Sequence, residues 1–201
     1  GIDTEEKMIR LGQRLFQKLN IEKEKYSMAV GNALEYLENV EEGNFDTVLC
    51  LGMLYYTTEP YRLLKLMLRA AKETVILDTF TAAYAAIQGK DAPQVYESVN
   101  EETLKLPILL TALTQPGKKD YTLPHSFDYR SKDLSLITLP SAELLEIWFQ
   151  SLNAQFNKLD WSIYATRPCT YHDLLTPDQK KSSHWADVYT SGIRVSYVLH
   201  K

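Results

Sequence analysis

Residues 45–80 constrain the fold of this chain more than any other part of the sequence. They read FDTVLCLGMLYYTTEP, continue as an apolar helical stretch to Ala71, and end in ETVILDTF. An apolar run, a glycine, a turn that ends in Pro60, a helix and a second apolar run together predict one βαβ unit. Neither run alternates with polar residues, so both strands should be buried on both faces of a parallel sheet. Ligands of such sheets bind beyond the carboxyl ends of the strands, where Gly52 leaves the first run.

The residues before this unit continue the same alternation. A strand that ends at Asp3 leads into a helix with apolar residues at helical spacing, and Asp3 or Thr4 is the expected N-cap. A short strand at 26–30 and a brief helix at 33–40 follow. The order strand, helix, strand, helix, strand, helix, strand predicts an α/β fold with a parallel sheet.

Residues 80–139 interrupt this alternation and are long for a connection. They contain one predicted helix at 101–113 and a polar stretch at 118–133. The tyrosines and the phenylalanine of this segment favour an ordered cap over the ligand-binding edge, and a mobile surface insertion is the alternative. Beyond it we predict a helix from Ser141, a strand at 159–166 with Trp161 and Ile163 on one side, a helix starting at 176–178, and a strand at 194–199.

Composition narrows the class of protein. The chain has 201 residues, of which 45% are hydrophobic and 24% charged, and these values fit one globular domain. A net charge of −4 argues against avid, non-specific binding of nucleic acid. Cys50, Cys169 and the four histidines lack metal-ligand spacing, so no metal site is predicted. No apolar run approaches the ~20 residues that span a bilayer. We therefore expect a soluble, cytoplasmic protein without membrane contact.

Several segments resemble class I methyltransferases, which use S-adenosylmethionine. GIDTEEKMI, GNALEYL and FDTVLCLGMLYY are similar to the motifs after the second and third strands and around the fourth strand of that family. LGMLYY, PSAELLEIWF, TPDQKKSSHW and IRVSYVLHK are similar to segments of the carboxy-S-adenosylmethionine-dependent tRNA wobble-uridine carboxymethyltransferases. The resemblance implies a single α/β, Rossmann-like domain over residues 1–201. Its sheet should be mostly parallel with an antiparallel last strand, and residues 80–139 should form a helical or loop insertion.

The resemblance also implies a cofactor site. Asp3 should accept hydrogen bonds from the ribose hydroxyls, since a carboxylate can take one hydroxyl on each oxygen. Asn32 and Ala33 should border the adenine, with Asn32 where the family often has an aspartate. The residues expected beside the methionine portion are Leu51, Gly52 and Met53.

Three further residues are predicted to be catalytic on the same ground. Tyr55 and Arg194 match positions that approach the extra carboxylate of the carboxylated cofactor, and Tyr56 stands where the family has a histidine. The forked donors of a guanidinium suit a carboxylate. Each assignment has a structural alternative: Asp3 as a helix cap, the tyrosines as packing residues, and Arg194 as a solvated or ion-paired side chain.

The sequence departs from the family pattern in two places. The glycine-rich loop after the family's first strand is absent, since no two of the eight glycines stand two residues apart. Without the first two strands of the family, the third has no neighbour, so either about 50 or more upstream residues belong to the native protein or the fold is rearranged. We favour the first. The insertion at 80–139 is also longer than in the carboxymethyltransferases, so the tRNA specificity does not transfer directly.

These features predict an S-adenosylmethionine-dependent methyltransferase or carboxymethyltransferase that acts on a small molecule or a modified tRNA nucleoside. Transfer from a sulfonium needs positioning and exclusion of water more than a nucleophilic side chain. If the acceptor is a hydroxyl, Tyr55, Tyr56 or a residue of the cap is a candidate general base. A non-catalytic, methyltransferase-like binding module is the alternative. An unrelated nucleotide-binding domain would need a phosphate loop, and the sequence has none.

Overall fold

The computed structural model describes residues 1–84, 101–114, 126–129, 132–165 and 184–201. Residues 1–80 confirm the predicted alternation of strands and helices. In chain order the elements are β1 (Ile2–Asp3), α1 (Glu6–Lys18), β2 (Ala29–Val30), α2 (Ala33–Glu38), β3 (Phe45–Leu51), α3 (Pro60–Ala70) and β4 (Ala71–Phe80).

The second part contains three more helices and five more strands within the described residues. They are α4 (Glu101–Leu104), β5 (Leu109–Thr114), β6 (Ser126–Tyr129), β7 (Lys132–Pro140), α5 (Ala142–Ser151), β8 (Gln155–Lys158), α6 (Asp187–Thr190) and β9 (Arg194–His200). Short 3-10 turns at Leu54–Tyr56 and Ser162–Tyr164 complete the parts that matter for the site.

The main sheet has the strand order β3-β4-β9-β8. β3 runs parallel to β4 and pairs Leu51 with Asp78, whereas β9 is antiparallel to β4 and pairs Arg194 with Phe80. β8 is antiparallel to β9 and therefore runs in the direction of β3 and β4. The antiparallel last strand was predicted and is confirmed. This register brings Gly52, Phe80 and Arg194 to one edge of the sheet.

The core lies between the main sheet and the helices α3 and α5. Helix α3 begins with Pro60 in its first turn, where proline needs no hydrogen-bond donor, and buries one apolar face. Phe149 of α5 packs edge-on against Tyr197 of β9, with ring centroids 5.0 Å apart. Cys50 is buried in this core, and burial raises the pKa of its thiol to about 12.

The prediction that both strands of the βαβ unit are buried on both faces is wrong for β3. Val75 and Leu77 of β4 are fully buried, but Leu49 and Leu51 of β3 are 60% and 61% exposed. Within the described residues β3 pairs only with β4, and β1 and β2 form a separate parallel pair. One edge and part of one face of β3 therefore lie open. The prediction that the strand at 26–30 has no neighbour is also wrong, because the short β1 pairs with it.

The predicted helix at 101–113 is also wrong beyond its first turn. The helix ends at Leu104, and β5 begins at Leu109 and pairs with β7 along its whole length. Pro107 explains the break, because it disfavours helical geometry in the residue before it. β5, β7 and β6 form a three-stranded antiparallel sheet, so the segment predicted as a helical or loop insertion contains strands as well as a helix.

The strand predicted at 159–166 is displaced. β8 ends at Lys158, and the backbone N–H of Ser162 donates to the Asp160 carboxylate at 2.8 Å, which starts the turn at Ser162–Tyr164. The predicted helix start at 176–178, Cys169, His172 and most of the polar stretch at 118–133 lie outside the described residues.

Candidate active site

The structure brings the six residues predicted to bind the cofactor to one cavity of about 190 Å³. The cavity lies at the carboxyl ends of β1, β2 and β3, the edge at which parallel sheets bind ligands. The predicted residues that line it are Asp3, Asn32, Ala33, Leu51, Gly52 and Met53.

Asp3 is the last residue of β1 and lines this cavity. One carboxylate oxygen accepts the backbone N–H of Glu5 at 2.8 Å, so Asp3 orders the turn before α1. It is not the N-cap of that helix, and neither is Thr4, because the cap position is Glu5, which makes no side-chain capping bond. Among the described residues the second oxygen of Asp3 has no hydrogen-bond partner. A partly buried carboxylate with free acceptor sites is suited to a diol.

Asn32 has a structural role that the sequence analysis did not assign. Its side-chain oxygen accepts the backbone N–H of Leu34 at 2.9 Å, which makes Asn32 the N-cap of α2. The capping bond uses the carbonyl oxygen and leaves the amide nitrogen as a donor toward the cavity that Asn32 and Ala33 line. The cap thereby fixes the orientation of the side chain.

Gly52 occupies a position that requires glycine. Its φ is +71°, a left-handed conformation that other residues adopt at a cost. A Cβ at this position would lie 3.1 Å from Arg194 Nη2 and 3.6 Å from the Tyr55 hydroxyl. Its backbone N–H donates to the Asp78 carbonyl at 2.8 Å. The absence of a side chain at Gly52 therefore lets the arginine and the tyrosine approach the backbone closely.

Tyr55 is buried and Tyr56 is half-buried at the end of the turn after β3. The Tyr55 ring packs against Tyr56 at 4.3 Å and against Phe80 at 5.1 Å. It also shares a small core with Ile137 of β7, so β7 covers this turn. Burial, together with its contact to Tyr56, raises the pKa of Tyr55. Its phenol therefore keeps its proton at neutral pH and suits a hydrogen-bond donor better than the general base considered above.

Arg194 opens β9 at the same edge. Its guanidinium forms an ion pair with Asp78 and lies over the Phe80 ring, 4.8 Å from the ring centroid. Burial works against the charged guanidinium, but the hydrogen bond and charge of Asp78 outweigh it, so the pKa of Arg194 is raised. Both the ion-paired alternative and the functional prediction are compatible with this arrangement, since Asp78 orients the donors without using all of them.

The sequence analysis missed the partners of Arg194. Asp78 is buried, and its second carboxylate oxygen accepts the Ser196 hydroxyl at 2.6 Å. Ser196 in turn accepts the indole N–H of Trp161 at 3.0 Å. Asp78 directly follows the apolar run TVIL and lies two residues before the end of β4. Like Asp3, it is therefore a carboxylate near the carboxyl end of a strand, a pattern that is visible in the sequence. Its pairing with Arg194 depends on the register of β4 and β9, which the local sequence does not encode.

The part of the chain that the structure describes contains neither a cluster of metal ligands nor a membrane-spanning helix. No group of three or more metal-ligating side chains occurs among these residues. Of the helices described, none is long and apolar enough to cross a membrane.

Known structures share this architecture. An S-adenosylmethionine-dependent methyltransferase from Listeria monocytogenes matches all of the chain and 78% of its own length, with a TM-score of 0.55 and 12% identity. The YcgJ protein from Bacillus subtilis matches all of the chain and 81% of its own length, with a TM-score of 0.53 and 13% identity. At such low identity these matches establish the fold alone, an α/β Rossmann-like methyltransferase fold.

Sequence comparison gives two further matches. The chain is 28% identical over 151 residues to a tRNA U34 carboxymethyltransferase from Sulfurovum sp. (strain NBC37-1). This alignment covers 73% of the chain but only 42% of that relative, so the chain spans less than half of its length. The model of a methyltransferase domain family, Methyltransf_31, matches residues 1–121. Because this match covers more than half of the 201 residues, the chain belongs to this family of methyltransferase domains.

Proposed function

We propose that this domain binds S-adenosylmethionine, or its carboxylated form, at the edge formed by β1, β2 and β3 and transfers a one-carbon or carboxymethyl group to an acceptor. One observation carries the proposal: six residues assigned from motif resemblance, distributed over 50 positions of the chain, line a single cavity. Membership of the methyltransferase family and the location of the cavity at the carboxyl edge support the same conclusion.

The residues present fit such a cofactor. Asp3 has a free carboxylate oxygen for the ribose hydroxyls, and the capped Asn32 presents an amide donor for a ring nitrogen of the purine. Gly52 and Met53 continue the cavity from the end of β3 toward Tyr56. A bound sulfonium cofactor supplies the electrophilic carbon and the leaving sulfur. The protein then has to orient an acceptor and exclude water, which accounts for a large part of the rate in reactions of this type.

Arg194 and Tyr55 support the carboxylated form of the cofactor. The two side chains converge on Gly52, and both offer hydrogen-bond donors there: a guanidinium and a phenol that stays protonated. Asp78 neutralises part of the arginine charge, so a cofactor carboxylate would share the guanidinium with Asp78. The name of the Sulfurovum relative points to the same cofactor chemistry and to a tRNA uridine as acceptor. We include a small molecule as the other acceptor class.

We also propose two features of the native setting. The open edge of β3, with Leu49 and Leu51 exposed, supports pairing with a further strand that would carry the missing glycine-rich turn. Such a strand would lie between β3 and the β1–β2 pair and would complete the cofactor cavity. The buried, free thiol of Cys50 is compatible with a reducing, cytoplasmic compartment.

Calorimetric titration of the purified protein with S-adenosylhomocysteine tests the proposal. We expect saturable binding that Asp3→Ala weakens by about 1–3 kcal/mol, the scale of hydrogen bonds to a charged group. Asp46→Ala removes a carboxylate whose side chain is 86% exposed, so it is the matched control and should bind like the unmodified protein. Absence of binding at millimolar ligand would instead support the non-catalytic module. Equal affinity of the Asp3 and Asp46 variants for S-adenosylhomocysteine would show that Asp3 only orders the turn before α1.

A further inference from the structure

A second cavity, of about 360 Å³, reaches the same arginine from another group of residues. Its walls come from the segment after β8, from helix α6 and from the start of β9. Its lining residues include Lys158, Asp160, Trp161, Tyr189 and Arg194. None of them lines the cofactor cavity, so Arg194, which also approaches Gly52, is the link between the two.

Two aromatic side chains, Trp161 and Tyr189, line this second cavity. Trp161 and Tyr189 are half-buried, and their ring centroids lie 5.2 Å apart with the planes inclined by 39°. Trp185 meets the edge of Trp161 at 5.7 Å and is itself 51% exposed. An aromatic cluster that stays partly exposed forgoes part of the stabilisation that burial would bring. It offers ring faces on which another planar group can stack.

The rim of this cavity carries both donors and acceptors. Lys158 and Arg194 supply donors, and the Arg194 side chain is 24% exposed. Asp160 supplies an acceptor, and hydrogen bonds from Ser162 lower the pKa of its carboxyl group, so it stays charged at neutral pH. A planar ring with acceptors and a donor on its edge, as in a pyrimidine, matches this set of groups. A purely aliphatic ligand would leave all three unpaired.

We propose that the cavity lined by Trp161 and Tyr189 is the acceptor site, and that it takes a flat heteroaromatic ring with hydrogen-bonding groups on its edge, stacked on an open face of this aromatic pair. This inference rests on the proposed transferase function, since it assigns the second substrate of that reaction. Arg194 would then contact both substrates, with Asp78 and Phe80 holding it in place between the two cavities. The ring can belong to a free nucleoside or to an unpaired base of an RNA loop, because both present the same face and edge.

Binding assays with uridine and with an RNA stem-loop carrying one unpaired uridine test this assignment. Tyr189 is the better position to change, because Trp161 also donates to Ser196. Tyr189→Leu removes the ring and should weaken binding of the better probe about tenfold, the scale of a lost base stack. Tyr189→Phe keeps the ring but loses the hydroxyl that interacts with Asp78, and it should bind within threefold of the unmodified protein. Ile163→Ala changes a neighbouring, 75% exposed residue that is not aromatic and should have no effect.

The outcomes separate this inference from the proposed function. Binding of S-adenosylhomocysteine by all three variants shows that they are folded and that the cofactor cavity is intact. If that ligand binds but neither uridine probe does, or if Tyr189→Phe fails as badly as Tyr189→Leu, the acceptor site lies elsewhere. Tighter binding of free uridine than of the stem-loop identifies a small-molecule acceptor, and the reverse identifies RNA. A stem-loop with an abasic site in place of the uridine should bind more weakly than the uridine stem-loop, because it lacks the base that would enter the cavity.

Discussion

Replacing Gly52 by alanine perturbs the point at which the backbone, Arg194 and Tyr55 meet. Alanine at φ +71° costs about 1–2 kcal/mol, because its Cβ crowds the following carbonyl oxygen. The substitution recovers about 0.4–1 kcal/mol by restricting the unfolded chain. In addition, the new Cβ would lie 3.1 Å from Arg194 Nη2, and Asp78 holds that guanidinium in place. Displacing it weakens a charge-assisted hydrogen bond worth about 1.5–3 kcal/mol. We expect a net loss of about 2–3 kcal/mol.

Gly43→Ala is the matched control for this prediction. Gly43 has φ +64°, so alanine suffers nearly the same backbone strain there. Its Cβ would meet nothing closer than Lys72 Cα at 3.9 Å, an ordinary contact. Urea denaturation should therefore give a loss of about 1 kcal/mol or less for Gly43→Ala, the strain minus the gain in the unfolded chain.

The two variants should also differ in ligand binding. Gly43 is remote from the cofactor cavity, whereas Gly52 lines it. Titration with S-adenosylhomocysteine should give at least tenfold weaker binding for Gly52→Ala, about 1.4 kcal/mol, and unchanged binding for Gly43→Ala. Equal losses of stability in the two variants, with equal affinities, would refute the idea that Gly52 is needed for the approach of Arg194.

Two further predictions concern Arg194 and Cys50. In calorimetric titrations, Arg194→Ala should weaken binding of carboxy-S-adenosylmethionine at least tenfold more than binding of S-adenosylmethionine. The control Arg62→Ala changes an exposed arginine of α3 and should affect binding of neither cofactor. Equal weakening of both cofactors by Arg194→Ala would show that Arg194 does not recognise the carboxylate. Burial raises the pKa of Cys50 from 9.0 to about 12, so the unfolded chain loses the thiol proton first and the free energy of unfolding should fall as the pH rises from 9 to 12. Buried tyrosines lower the stability at high pH in the same way. Urea denaturation at several pH values should therefore show a shallower fall of the unfolding free energy with pH for Cys50→Ala than for the unmodified protein. Identical slopes would contradict this prediction.

The features that the sequence predicted are those with local signals. The βαβ unit follows from two apolar runs, a glycine turn and Pro60, and the final strand was predicted at 194–199, close to the observed β9. Asp3 ends one strand and Gly52 directly follows another, so their place at the carboxyl edge follows once the strands are parallel. The predicted family then supplied the expectation that these two residues share a cavity with Asn32.

The features that the sequence did not predict depend on pairing between distant segments. Arg194 and Asp78 are 116 residues apart, and only the antiparallel register of β4 and β9 brings them together. Residues 109–113 have helical composition but pair with β7, because Pro107 ends the helix and a partner strand is present. Leu49 reads as a buried strand residue, yet its exposure depends on which strand lies beside β3.

The most direct test of the account is a crystal structure of the protein with S-adenosylhomocysteine. We expect the ribose hydroxyls within about 3 Å of the free Asp3 carboxylate oxygen. The purine should lie against Asn32 and Ala33, and the sulfur should lie beside Gly52 and Met53. A ligand bound outside the cavity that joins Asp3, Asn32 and Gly52 would contradict the account.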